Sequence, residues 1–159
     1  MIKCKIIALG SLKEKYFKDA CAEYQKRLTR FCNLEICEIE PVKLPENPSA
    51  GEIDAALKKE AEQIIKKIPQ NSRVIALCVE GKEKSSEDFA SYIEEVLNLG
   101  QGICFIIGSS YGLSEEVKRL ANLRFSLSIM TFPHKLFRVM LLEQLYRGFM
   151  INQGSKYHK

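Results

Sequence analysis

Gly102-Ile103-Cys104-Phe105-Ile106-Ile107-Gly108-Ser109-Ser110-Tyr111-Gly112 decides the architecture. Gly102–Ile107 is a short apolar run that reads as a strand, and the glycine- and serine-rich segment after it ends the run in a loop. Downstream, Ser114–Leu120 predicts a short helix with Glu115 and Glu116 in its first turn, and Arg124–Leu127 a brief strand. A second loop, Leu127-Ser128-Ile129-Met130-Thr131-Phe132-Pro133-His134, leads into a long helix opened by Pro133, running to about Gln153 and closed by Gly154. Upstream, Cys4–Leu9 reads as a buried strand. Phe17, Ala20, Cys21, Tyr24, Leu28 and Phe31 mark one face of a helix, and Leu34–Ile39 a second strand. Pro41–Gly51 breaks all periodicity and is a surface loop. Glu52–Ile68 is the next helix, Arg73–Val79 a third strand, and Ser85-Ser86-Glu87-Asp88 caps a helix ending near Leu99. Strands alternating with helices give an α/β protein, a mostly parallel sheet flanked by helices, in a single domain over residues 1–159.

With 159 residues and 46% hydrophobic content, one core suffices, burying roughly 70% of the surface of the unfolded chain. No apolar run approaches the roughly 20 residues that cross a bilayer, and the start has no signal-peptide pattern, so the expected location is cytoplasmic, with no membrane partner. The six cysteines include no Cys-x-x-Cys, and His134 and His158 have no metal-ligand spacing to any of them. Free thiols and no metal are expected. Charge is unevenly spread. Lys118–Lys159 holds eight Lys or Arg against one acid, Glu143, while the rest of the chain holds 16 against 19. A basic end on a near-neutral body is the footprint of a phosphate-rich partner, or else a solvated helix face.

Ligands of open α/β sheets sit outside the carboxyl ends of strands. Three such ends carry unusual sequence: Leu77–Lys82, Gly108–Gly112 and Leu127–Pro133. Neither the G-x-G-x-x-G dinucleotide spacing nor a Walker phosphate loop is present, and Gly112 reads equally well as a plain turn. The last helix is apolar around most of its circumference, which means either burial in this domain or packing against a second subunit.

The series Ile106-Ile107-Gly108, Tyr111-Gly112-Leu113-Ser114, Leu127-Ser128, Met130-Thr131-Phe132-Pro133-His134, Arg138, Leu142-Glu143-Gln144-Leu145-Tyr146-Arg147 and Tyr157-His158-Lys159 resembles the RlmH family. The resemblance extends over the whole chain, including Gly10 with Lys13-Glu14-Lys15-Tyr16 and the Glu80-Gly81-Lys82 turn. One position departs: the family has Gly-Gly after the fourth strand, and here the second is Ser109, whose Cβ tolerates positive φ poorly. Members of this family are SPOUT methyltransferases of 23S ribosomal RNA. The resemblance therefore implies methylation at N3 of a pseudouridine with S-adenosyl-L-methionine as donor. It also implies a deep trefoil knot in the C-terminal part, an obligate homodimer and action on the ribosome rather than on DNA.

It implies site residues as well. Leu77, Gly108 and Leu127-Ser128-Ile129-Met130-Thr131-Phe132 match the cofactor positions, with Leu77, Ile129 and Met130 expected to enclose the adenine ring. The closing Tyr-His-basic tail matches one that folds over the partner's site. Tyr157 and His158 are then expected to contact the target base, with His158 the candidate general base, and Lys156 and Lys159 to hold phosphates. Arg138 and Arg147 are expected to bind RNA backbone, or Arg147 to orient the acceptor base. The alternative for Arg147 is an ion pair with Glu143, four residues earlier on the helix. Two rival readings remain at this point: a non-catalytic RNA-binding module of the ribosome, and a flavodoxin-like nucleotide-binding protein.

Overall fold

The computed structural model describes residues 1–159. The elements run β1 Ile2–Leu9, α1 Lys15–Leu28, β2 Cys32–Ile39, α2 Ala50–Lys67, β3 Ser72–Glu83, α3 Ser86–Asn98, β4 Gly102–Ile107, α4 Glu115–Leu120, β5 Leu123–Ser126 and α5 His134–Asn152. All five strands are parallel, in the order β2-β1-β4-β3-β5.

Strand side chains point alternately to the two faces of the sheet, so the continuous apolar runs of β1 and β4 feed two separate cores. Cys4, Ile6, Ile103 and Phe105 pack with α1, α3 and α5 on one face. Ile7, Leu9, Cys104 and Ile106 pack with α2 and α4 on the other. This is why β1 and β4 lack the polar alternation of a one-sided sheet. The connection leaving β1 goes to one edge of the sheet and the one leaving β4 to the opposite side, so the carboxyl ends of these neighbours flank a topological switch point.

Several boundaries follow from caps. Ser49 accepts from the backbone of Glu52 while the Glu52 side chain accepts from Ser49 N, a reciprocal capping box that starts α2 two residues before Glu52. Ser85 and Ser114 cap α3 and α4 in the same way with their side chains. The larger correction concerns β3. Expected to end at Val79, it continues to Glu83, and both Leu77 and Lys82 stand opposite Phe125 of β5, so the residues between them bulge out of the ladder. Gly81 lies inside that bulge rather than in a free turn. A Cβ there would lie 2.7 Å from the Phe125 carbonyl carbon.

α5 buries Leu141, Leu142, Leu145 and Phe149 against α1 and α3, and Gly148 permits the approach: a Cβ there would lie 2.7 Å from Ile93 Cδ1 of α3. No helix is long and apolar enough to cross a membrane.

Candidate active site

The carboxyl ends of β3, β4 and β5, with the loop into α5, enclose a cavity of about 670 Å³. Its walls come from all three segments singled out in the sequence, and they include Leu77, Gly108, Leu127, Ser128, Thr131 and Phe132. The loop after β4 is a tight hairpin: Gly112 N donates to Ser109 O at 2.9 Å, and Ser109 and Gly112 form an isolated antiparallel bridge. Gly108 has to be glycine for this closure, since a Cβ would stand 2.4 Å from Gly112 O. Gly112 itself sits at φ +81°, while Ser109 has no positive φ, so the hydroxymethyl side chain at the family's second glycine is accommodated without backbone strain.

The loop after β5 is pinned by its own serines. Buried Ser126 donates through Oγ to Ser128 O at 2.8 Å, and Ser128 Oγ accepts from Met130 N at 3.0 Å. This turn throws Ile129 and Met130 outward, 76% and 66% exposed, and neither lines the cavity. Within one chain the Ile129 and Met130 side chains expected around the adenine ring therefore face solvent, and the apolar walls of the cavity include Leu77, Leu127, Phe125 and Phe137. At the rim, Lys118 pairs with Glu80, and this ammonium holds the Glu80 carboxyl below the usual carboxylate range. His134, at the first position of α5, also lines the cavity; burial, then Lys135 and Arg138, lower its pKa, so it is neutral near pH 7.

A second constellation forms where the tail folds back on α5. Arg147 donates to Glu143 Oε1 from Nε at 2.9 Å and from Nη2 at 2.6 Å, and Tyr157 Oη donates to the same oxygen at 3.2 Å. The guanidinium carbon lies 4.8 Å from the centroid of the Tyr157 ring. His158 is held at both nitrogens, with Nδ1 3.1 Å from Arg147 Nη1 and Nε2 2.7 Å from Glu87 Oε1. Because a guanidinium only donates, Nδ1 is the acceptor and Nε2–H donates to Glu87. The fold thus brings Tyr157, His158 and Arg147 together on their own chain, around the Glu143 ion pair that the helix spacing allowed. In this arrangement both nitrogens of His158 are engaged by its own chain.

A family model described as "Predicted SPOUT methyltransferase" matches residues 2–158. This chain belongs to the SPOUT methyltransferase family. Relatives named "Ribosomal RNA large subunit methyltransferase H" from Streptococcus equi subsp. zooepidemicus and Streptococcus thermophilus are 48% and 50% identical to it, each aligned over 99% of this chain and 100% of its own length. Among solved structures, a probable methylase family protein from Haemophilus influenzae Rd KW20 shares the fold at a TM-score of 0.52 and 14% identity, covering 98% of this chain and 67% of that one. A putative methylase family protein from Neisseria gonorrhoeae does so at 0.50 and 11%, covering 91% and 81%.

The basic end of this SPOUT methyltransferase carries less free charge than its sequence suggests. Lys118, Lys135, Arg138 and Arg147 are each paired with a carboxylate, those of Glu80, Glu14, Glu38 and Glu143. Arg138 is the clearest case. Its side chain is 7% exposed, with Nη1 donating to Glu38 at 2.8 Å and Nη2 to Gly10 O at 3.1 Å, so the RNA contact expected for it is corrected to a buried tie between α5 and the ends of β1 and β2. Lys156 and Lys159 are exposed and make no ion pair. The sequence reading passed over Glu60, buried on α2 and hydrogen-bonded to Ser109 of the β4 loop. Its signal was legible: an acid in the helical stripe of Ala56, Ala61 and Ile64.

Proposed function

We propose that this protein methylates N3 of a pseudouridine in 23S ribosomal RNA, on the assembled large subunit and as a homodimer. The methyl donor is S-adenosyl-L-methionine. The observation that carries the reading is the cavity at the ends of β3, β4 and β5, lined by six of the eight positions at which the resemblance places the donor. Its residues fit such a group. About 670 Å³ is within the usual range for small-molecule sites, and its walls combine apolar side chains with the irregular backbone of two loops, whose N–H and C=O groups can read an adenine edge. When bound, the donor's sulfonium supplies an activated methyl group.

The chain's own work is to position and to manage a proton. Leu77, Leu127 and Phe132 supply apolar walls, Thr131 and Ser128 polar ones, and Gly108 close backbone approach. The acceptor nitrogen carries a proton that must leave. Arg147, its charge anchored by Glu143, favours the deprotonated base, and Tyr157 of the closing tail contacts that base. For His158 to accept that proton, the tail has to leave Arg147 and Glu87, which fits a tail that closes over the partner's site. Lys156 and Lys159 hold RNA phosphates. The outward Ile129 and Met130, with the half-buried apolar residues of α5, support a second subunit on this side. A C-terminal knot belongs to the same reading.

Labelled S-adenosyl-L-methionine offered to purified ribosomes, separate subunits and a naked RNA hairpin tests the proposal. Label is expected in large-subunit RNA from ribosomes and little in the hairpin. Transfer to none of them would refute the activity, and efficient hairpin methylation would refute the ribosomal context. Deleting Ser155–Lys159 is expected to abolish transfer and leave donor binding intact.

A further inference from the structure

α2 carries an acid where its periodicity demands an apolar residue. Glu60 is 4% exposed among Ala56, Ala61 and Ile64, and its pKa is raised above the ordinary carboxyl range by burial. No cation offsets that cost. Only two donors reach the carboxyl group: Val42 N to Oε2 and Ser109 Oγ to Oε1, each at 3.2 Å. A buried acid with no counter-charge is expensive to keep, and a hydrophobic residue would pack here at no such cost.

What Glu60 joins explains its presence. Val42 belongs to the segment after β2, and Ser109 is the residue whose backbone closes the β4 hairpin on Gly112. Ser109 also lines the large cavity, beside Gly108. Its side chain donates to Glu60 of α2 while its backbone pairs with Gly112, so the hairpin is held both by the acid and by its own bridge. A glycine at 109 would offer the acid nothing to hold.

We infer that Glu60 is a positioning residue for the cofactor loop: its carboxyl group holds Ser109 and sets the affinity for the S-adenosyl donor without touching it. The inference rests on the reading that the donor occupies the large cavity. Its energetic content is one hydrogen bond that orders a binding loop before the ligand arrives, so its loss weakens donor binding by about tenfold. Chemistry at saturating donor is unaffected, because the loop then adopts the bound form at the ligand's expense. Gln is the informative conservative variant. Its amide oxygen accepts from Val42 N and its NH₂ donates to Ser109 Oγ, preserving both contacts.

Calorimetric titration of the full-length protein with S-adenosyl-L-methionine, together with kcat on ribosomes and thermal melts, tests this. Glu60→Leu is expected to raise Kd about tenfold with kcat within about twofold, Ser109→Ala to raise Kd by the same factor, and the double variant to go no further. Glu60→Gln is expected to bind within about twofold of the parent. Thr131→Arg, an exposed substitution in the cavity wall, reports on the site itself and is expected to abolish binding. Loss in Thr131→Arg with normal binding in Ser109→Ala would overturn the inference and leave the site reading standing. Normal binding in Thr131→Arg would overturn the site reading and the inference with it. If Glu60→Leu fails to fold, Ser109→Ala, on an irregular loop, decides alone.

Discussion

A methyl group added at Gly108 would meet the carbonyl oxygen of Gly112 at 2.4 Å, and one at Gly81 the backbone of β5 at 2.7 Å. Neither obstacle is a side chain that can swing aside. Gly108→Ala is therefore expected to open the hairpin, abolishing donor binding and lowering stability by about 2–4 kcal/mol in chemical denaturation. Arg138 and Arg147 look alike in sequence and differ in consequence. Arg138→Ala removes a buried guanidinium that ties Glu38 and Gly10 O to α5, and is expected to cost about 1–3 kcal/mol of stability with little change in RNA affinity. Arg147→Ala is expected to lower rRNA methylation about 100-fold or more, with donor Kd unchanged. Light scattering on that variant and its parent distinguishes the readings: an unchanged oligomeric state supports catalysis, whereas dissociation assigns Arg147 to an interface between subunits.

Two elements set the site's geometry. α5 depends on Gly148 to lie close to α3, and its buried Leu142 and Leu145 join the core beneath the tail. Leu145→Ala is expected to cost about 2–5 kcal/mol by leaving a cavity, and to loosen the Glu143–Arg147 pair two residues on either side. α4 is only six residues long and cannot persist unaided; Ser114 Oγ accepts from Val117 N, and Val117 is fully buried. Ser114→Ala is expected to lower stability by about 1 kcal/mol, read from the urea midpoint. That cap also fixes where the β4 hairpin ends, so part of the loss should appear as weaker donor binding.

At the scale of the whole molecule, a half-buried histidine and a buried acid push the pH dependence in opposite directions. The pKa of His134 is lowered, so between that value and about 6.5 the unfolded chain binds more protons. Its contribution is complete above about 6.5 and is lost as pH falls through the folded pKa. Glu60 is raised, so its contribution is complete below about 4.3 and lost as pH rises through its folded pKa. In urea midpoints measured across pH, His134→Gln is expected to flatten the acid-side decline, and Glu60→Gln to gain on the parent as pH rises above that range.

Much of this was legible one residue at a time. The unbroken apolar runs of β1 and β4, the caps at Ser85 and Ser114, and Pro133 and Gly154 around α5 act through neighbours in the chain, so composition and period alone determined an α/β order of elements and which loops end strands. Local chemistry could not locate pairs distant in sequence. The β3 bulge exists because β5 passes against Gly81, and Arg138 is buried because Glu38, 100 residues away, meets it. Ile129 and Met130 point outward because Ser126 and Ser128 fold the turn that way. Half of the basic residues in the last quarter of the chain are neutralised by acids that the charge count assigned elsewhere or to the same helix. Which side chains line the cavity, which are consumed by partners and which stay free for RNA depends on contacts made through space, and only the tertiary structure decided them.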